Sequence, residues 1–198
     1  MSVIELDPQN RVIAATLRCV ARWGIGKTTL DDVAREAGLS RATVYRIVPG
    51  GKDSLLALVS ASELQRFFTA LDSAAQSVDG LEDLLVAAVT TASRHLEEHG
   101  ALKFLIEHEP EQILPRFAFH NLDAILVSVR AFAGPYLEPW LGADAGRAAE
   151  WVARIVLSYA CAPSAEFDLS DAESARRLIT RYVMPGLTPQ QSTKEAVS

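Results

Sequence analysis

Cysteine is nearly absent. Cys19 and Cys161 are the two in the chain, and neither has a CxxC companion or a Cys/His partner at ligand spacing. A disulfide framework and a thiolate metal site are therefore excluded, and both cysteines, set in apolar helical stretches, are expected as buried free thiols. No apolar stretch approaches the ~18 charge-free residues that a membrane span requires. The opening "MSVIELD" carries acid where a secretory signal has a basic region and an apolar one. A cytoplasmic location with no membrane partner follows as the expectation. The chain also lacks a GxSxG, a cysteine nucleophile with a companion histidine, and a glycine-rich loop between strand and helix, so an enzyme is not expected. No segment alternates apolar and polar residues long enough to suggest a strand.

Two motifs approach a chemistry and miss it. "WGIGKTT", residues 23–29, ends like a phosphate-binding P-loop, but the glycine required five positions before the glycine of the GK pair is Ala21. The residues upstream are helical, not the buried strand such a loop must follow. "HLEEH" sets His95 and His99 one helical turn apart, yet the metalloprotease pattern needs Glu where the chain has Leu96. With Glu97, Glu98 and Gly100 alongside, a solvated helix end is expected, and His108, between Glu107 and Glu109, is expected to be exposed and able to titrate near neutrality. No metal and no cofactor is expected.

What is present is helical. The 198 residues are 49% hydrophobic, enough for one sizeable core or for a small domain joined to a larger one. The net charge of −6 hides an asymmetry: residues 1–59 hold eight Lys/Arg against six Asp/Glu, the remainder eleven against nineteen. The two parts face different partners.

From Asp7, "DPQNRVIAATLRCVARWG" offers an N-cap, a proline suited to the first helical position, apolar residues at helical spacing (Ile13, Leu17, Val20) and Gly24 as a stop. "TTLDDVAREAG" follows with Thr29 as N-cap and Asp32 completing an acidic capping box. Leu30, Val33, Ala34 and Ala37 give that helix one apolar face, and Gly38 ends it. "LSRATVYRIV" restarts at once with Ser40 as cap. Two short helices joined by a glycine-containing turn, with a third before them, form the helix-turn-helix pattern. Leu39 and Val44 point inward, leaving Arg41, Ala42, Thr43, Tyr45 and Arg46 outward: two arginines, a threonine and a tyrosine without an acid, on the helix that enters a major groove.

The run "AATLRCVARWGIGKTTLDDVAREAGLSRATVYRIV" followed by "KDSLLALV" resembles the N-terminal DNA-binding domain of the TetR family of bacterial transcription regulators, over residues 8–60. The carrying elements are the alanine-rich first helix ending in glycine, the Thr-Thr pair, the "VAREAGLS" turn, "TVY", and the Lys-Asp-x-Leu-Leu opening of a fourth helix. The chain departs from the family at Ile47, where an aromatic or histidine is common, at Val48, and in a "PGGK" turn that is one residue longer. Arg41 and Arg46 could fork onto guanine or settle on phosphate, and Ala42 could meet a thymine methyl. The hydroxyls of Thr29, Ser40, Thr43 and Tyr45 suit phosphate oxygens, and the resemblance places their counterparts along the DNA backbone. Lys52, opening the fourth helix, suits a phosphate too.

The expected fold is all-α: a three-helix DNA-binding domain over residues 7–51, a larger helical effector-binding and dimerisation domain over 52–186, and a polar tail from 187 to 198. Helices are expected near 52–75, 80–99, 101–109, 113–133, 145–161 and 171–184, with breaks at Asp79-Gly80, Gly100, Pro110, Gly134-Pro135, Gly142 and Pro163. The resemblance implies a small effector bound among the helices, and the composition makes it apolar. Phe67, Phe68, Phe104, Phe117, Phe119, Leu126 and Trp140 are candidate walls, although apolar residues at this spacing also serve as plain core. The last two helices carry stripes that include Val152, Ile155, Val156 and Tyr159 on one and Leu178, Ile179 and Tyr182 on the other. The resemblance implies a four-helix interface there between two copies. The function implied is a ligand-responsive regulator, a repressor, binding a near-palindromic double-stranded operator as a homodimer. The alternative is a helical ligand-binding or interaction protein whose helix-turn-helix has lost DNA specificity.

Overall fold

A computed structural model describes residues 7–109 and 121–187, and its described residues are helical with short connections. The order is α1 (Pro8–Lys27), α2 (Leu30–Ala37), α3 (Arg41–Ile47), α4 (Gly51–Ala75), α5 (Leu81–Glu98), α6 (Gly100–His108), α7 (Asn121–Leu141), a 3₁₀ turn (Gly142–Asp144), α8 (Ala145–Cys161), α9 (Ala172–Leu178), a π turn (Ile179–Val183) and α10 (Met184–Leu187). The chain divides into two compact units. The described residues of the first are 7–70, 95–109 and 121–123; those of the second are 71–94 and 124–187. The first unit extends past residue 51 because Leu55 and Val59 of α4 join the core of the three-helix segment.

That core gathers Val12, Ile13, Ala15, Cys19, Val33, Ala34, Ala37, Val44 and Val48, with Leu17, Leu30, Leu39 and Ile47 packed against it. Ile47 and Val48, the departures from the family pattern, thus serve the interior. In α1, Gly24 adopts φ 82 and ψ 170, a region open to glycine, so the chain kinks there and makes one more helical turn to Lys27. Pro8 sits at the first turn as expected, but the Asp7 side chain makes no cap bond; its carbonyl receives the Arg11 N–H at 3.1 Å instead.

In the second unit, the expected break at Gly134-Pro135 does not occur. Helix α7 runs through Pro135 and Pro139 to Leu141. Each proline removes an N–H from the ladder, but Leu137 between them is buried and the Tyr136 hydroxyl donates to Asp72, so tertiary contacts hold the turn. The final segment begins at Asp171, whose carboxylate accepts the Ser174 N–H at 2.8 Å. It is joined to α5 by Arg176, which reaches Glu82 at 3.1 Å and Asp83 at 2.6 Å. Cys161 is exposed, not buried, because it is the last residue of α8 where the chain turns into a loop.

Candidate nucleic-acid interface

Helix α2 is fixed at both ends by its own sequence. Thr29 Oγ1 accepts the Asp32 N–H at 3.2 Å and donates to Asp32 Oδ2 at 2.5 Å, while the Thr29 N–H reaches the same carboxylate at 3.3 Å. These bonds hold the Asp32 carboxyl below the usual carboxylate range. At the other end Gly38 takes the left-handed conformation (φ 62, ψ 38) and the Leu39 N–H returns to the Ala34 carbonyl at 2.9 Å. Helix α3 then starts at Ser40, whose Oγ accepts the Thr43 N–H at 3.1 Å and lies 2.9 Å from the Thr43 hydroxyl.

Val44 is fully buried, while Arg41, Ala42, Tyr45 and Arg46 stand exposed around the rest of α3; Tyr45 keeps 51% of its surface open. Thr43 is half-buried beside them and Thr29 and Ser40 are exposed at the helix starts. Seven of the expected DNA-facing residues therefore occupy the two cap positions and the outer side of one helix. Two cationic groups are engaged within the chain. Arg41 pairs with Asp31 at 2.6 Å, and Lys52 Nζ donates to the Gly26 carbonyl at 3.2 Å. The Arg41 pair is 71% and 37% exposed, so it is worth about 0–1 kcal/mol and yields readily to a better acceptor.

Arg11, not singled out from sequence, staples the turn. Its guanidinium donates to the Ala37 carbonyl at 2.7 and 3.1 Å and to that of Gly38 at 3.1 Å. Arg18 likewise bonds Glu36 at 2.6 Å and holds that carboxyl below its usual range.

The residues expected around an effector fall in both units. In the first, Phe67 lies 5.6 Å from Phe68 and 5.1 Å from His95, and Phe104 stacks on His108 at 4.5 Å. In the second, Leu126 is buried and Trp140 is 45% exposed. Phe117 and Phe119 lie outside the described residues. His95 and His99 are not a solvated helix end. His99 Nδ1 accepts the Leu102 N–H at 3.1 Å and so caps α6, which places the proton on Nε2, 3.2 Å from Glu63. Burial, helped by His99, pushes the His95 imidazole below its ordinary value. Among the described residues no cluster of His, Cys, Asp and Glu could hold a metal ion. His108 is exposed, as expected.

Of the residues expected at a dimer interface, Val156, Leu178 and Ile179 are buried within the chain itself. Val152, Ile155 and Tyr159 are half-buried, and Tyr182 is 52% exposed with Arg181 5.3 Å over its ring. Trp151, missed from sequence, is also exposed. No described helix is long and apolar enough to cross a membrane.

Residues 12–59 match the family model described as bacterial regulatory proteins, tetR family. Uncharacterised HTH-type transcriptional regulators of Mycobacterium tuberculosis and Mycobacterium bovis are 34% identical over 61 residues, 31% of this chain. The matched part spans about a third (32%) of those relatives. Among solved structures, the TetR family repressor AlkX from Dietzia sp. strain DQ12-45-1b, implicated in biodegradation of n-alkanes, is similar with a TM-score of 0.63 at 21% identity, over 90% of this chain and 98% of that one. The fatty acid degradation regulator FadR from Bacillus halodurans is similar with a TM-score of 0.65 at 15% identity, over 89% and 96%. At those identities the likeness establishes the fold.

Proposed function

Residues 12–59 match the tetR family model, and from that match we propose that the chain is a tetR-family repressor that grips a near-palindromic operator as a homodimer and lets go when a small apolar effector binds. One observation carries the DNA-reading part: α3 is capped by Ser40 and anchored by buried Val44, and so offers Arg41, Ala42, Tyr45 and Arg46 exposed on a helix that itself holds no acid. A face of that kind gives forks for guanine, a methyl contact for thymine and a hydroxyl for phosphate. The hydroxyls of Thr29, Ser40 and Thr43 and the Lys52 ammonium supply positioning contacts to the backbone.

A dimer follows from the modest charge of the DNA-reading part: with eight cations against six anions in residues 1–59, one copy gains little from nonspecific attraction. Release requires that the effector bind one half-site spacing better than the other. The apolar character of the effector is supported by the many half-buried aromatics and by two neighbours concerned with n-alkanes and fatty acid degradation. The test selects from a randomised duplex pool on the purified protein, then challenges the retained complex with fatty acids and alkanes. An inverted repeat that is released by one of these classes supports the reading.

A second reading, in which the helix-turn-helix no longer reads DNA, draws on the engagement of Arg41 by Asp31 and of Lys52 by Gly26. It predicts no steep loss of duplex binding as salt rises, and that dependence separates the two.

A further inference from the structure

The segment that links α1 to the helix-turn-helix is fastened from two distant parts of the chain. At the Gly24 kink the Ile25 N–H leaves the helical ladder, and the Glu109 carboxylate, 84 residues away, accepts it at 2.9 Å. Glu109 is the C-cap of α6, its own N–H held by the Leu105 carbonyl at 3.0 Å. A Cβ at Gly24 would collide with that carboxylate, so this glycine leaves the room it fills; one at Gly26 would meet Oε1 at an ordinary 3.6 Å. Lys52 holds the Gly26 carbonyl at 3.2 Å, and the buried Thr28 hydroxyl donates to the Gly24 carbonyl at 2.7 Å. The next residue, Thr29, caps α2. In "GIGKTT" one backbone N–H, that of Ile25, thus holds a carboxylate from the chain itself.

We propose that Glu109 is a positioning residue for DNA recognition: its carboxylate, seated in the Gly24–Gly26 backbone, fixes the hinge from which α2 and α3 are presented. The assignment rests on the DNA-binding reading above. A hydrogen bond from a backbone N–H to a carboxylate is charge-assisted and stronger than a neutral one. Without it the partly buried Ile25 N–H loses its partner and the hinge samples other angles.

The experiment compares wild type, Glu109→Ala and Glu109→Gln for affinity to a duplex recovered by the wild type, and for amide exchange at Ile25. Glu109→Ala is expected to lose about tenfold or more in affinity. Exchange at Ile25 should quicken while the amides of Val33 and Val44 in the core keep their protection. Glu109→Gln, whose amide oxygen can still accept the Ile25 N–H, should recover most of both. A uniform rise in exchange across the first unit would mark a merely structural role and overturn the proposal. Wild-type affinity in Glu109→Ala, or an Ile25 amide no faster than before, overturns it too. If the unaltered protein retains no duplex at all, the DNA-binding reading falls, and the assignment with it.

Discussion

Arg41 makes a weak contact that a stronger one can replace. Its exposed pair with Asp31 is worth at most about 1 kcal/mol, whereas the proposed bidentate guanine contact would discriminate by about 1–3 kcal/mol. Arg41→Ala should therefore weaken operator binding and relax preference at one base position, as read by repeating the duplex selection. Unchanged affinity and unchanged preference would remove Arg41 from specificity. His95 gives a pH dependence. Its folded-state pKa lies below its unfolded value of about 6.5, so its neutral form stabilises the fold above that pH, and the contribution is lost as pH falls from there through the lowered value. Thermal midpoints measured downward from neutral pH should fall, and His95→Leu should flatten that limb. Neither histidine of "HLEEH" could be placed from sequence: Glu63 and Phe67, which engage them, come from another helix. Arg11 and Glu109 were illegible for the same reason, since their partners lie 26 and 84 residues away.

At the scale of elements, local chemistry was readable and tertiary override was not. The Thr29–Asp32 box, the Ser40 cap and the left-handed Gly38 are set by residues within a few positions of one another, and each stands where the pattern put it. The stop at Gly134-Pro135 failed because buried Leu137 and the Tyr136 bond to Asp72 outweigh the lost ladder bonds. Two substitutions test how much the turn depends on these devices. Thr29→Ala should destabilise by about 1 kcal/mol through loss of the cap. Arg11→Ala, which frees two carbonyls of the turn, should cost on the order of 1.5 kcal/mol. Denaturant midpoints check both, and DNA affinity should fall with Arg11→Ala more than stability alone accounts for, since the staple ties α1 to the turn between α2 and α3.

For the whole molecule, the charge asymmetry and the burial of Leu178 and Ile179 bear on assembly. A partner copy would meet the exposed aromatics, Trp151 at 41% and Tyr182 at 52%, in preference to those interior side chains. If the proposed homodimer forms through these aromatics, Trp151→Glu together with Tyr182→Glu leaves the protein monomeric in sedimentation. Affinity for the proposed operator should fall with it, because a single weakly basic copy binds DNA poorly. Operator recognition by two copies is tested most directly by selection from a randomised duplex pool at near-physiological salt. An inverted repeat is expected, its half-sites spaced for two α3 helices on one face of the duplex, with binding that falls steeply as salt rises. Retention without sequence preference, or of a single unrepeated site, would contradict it.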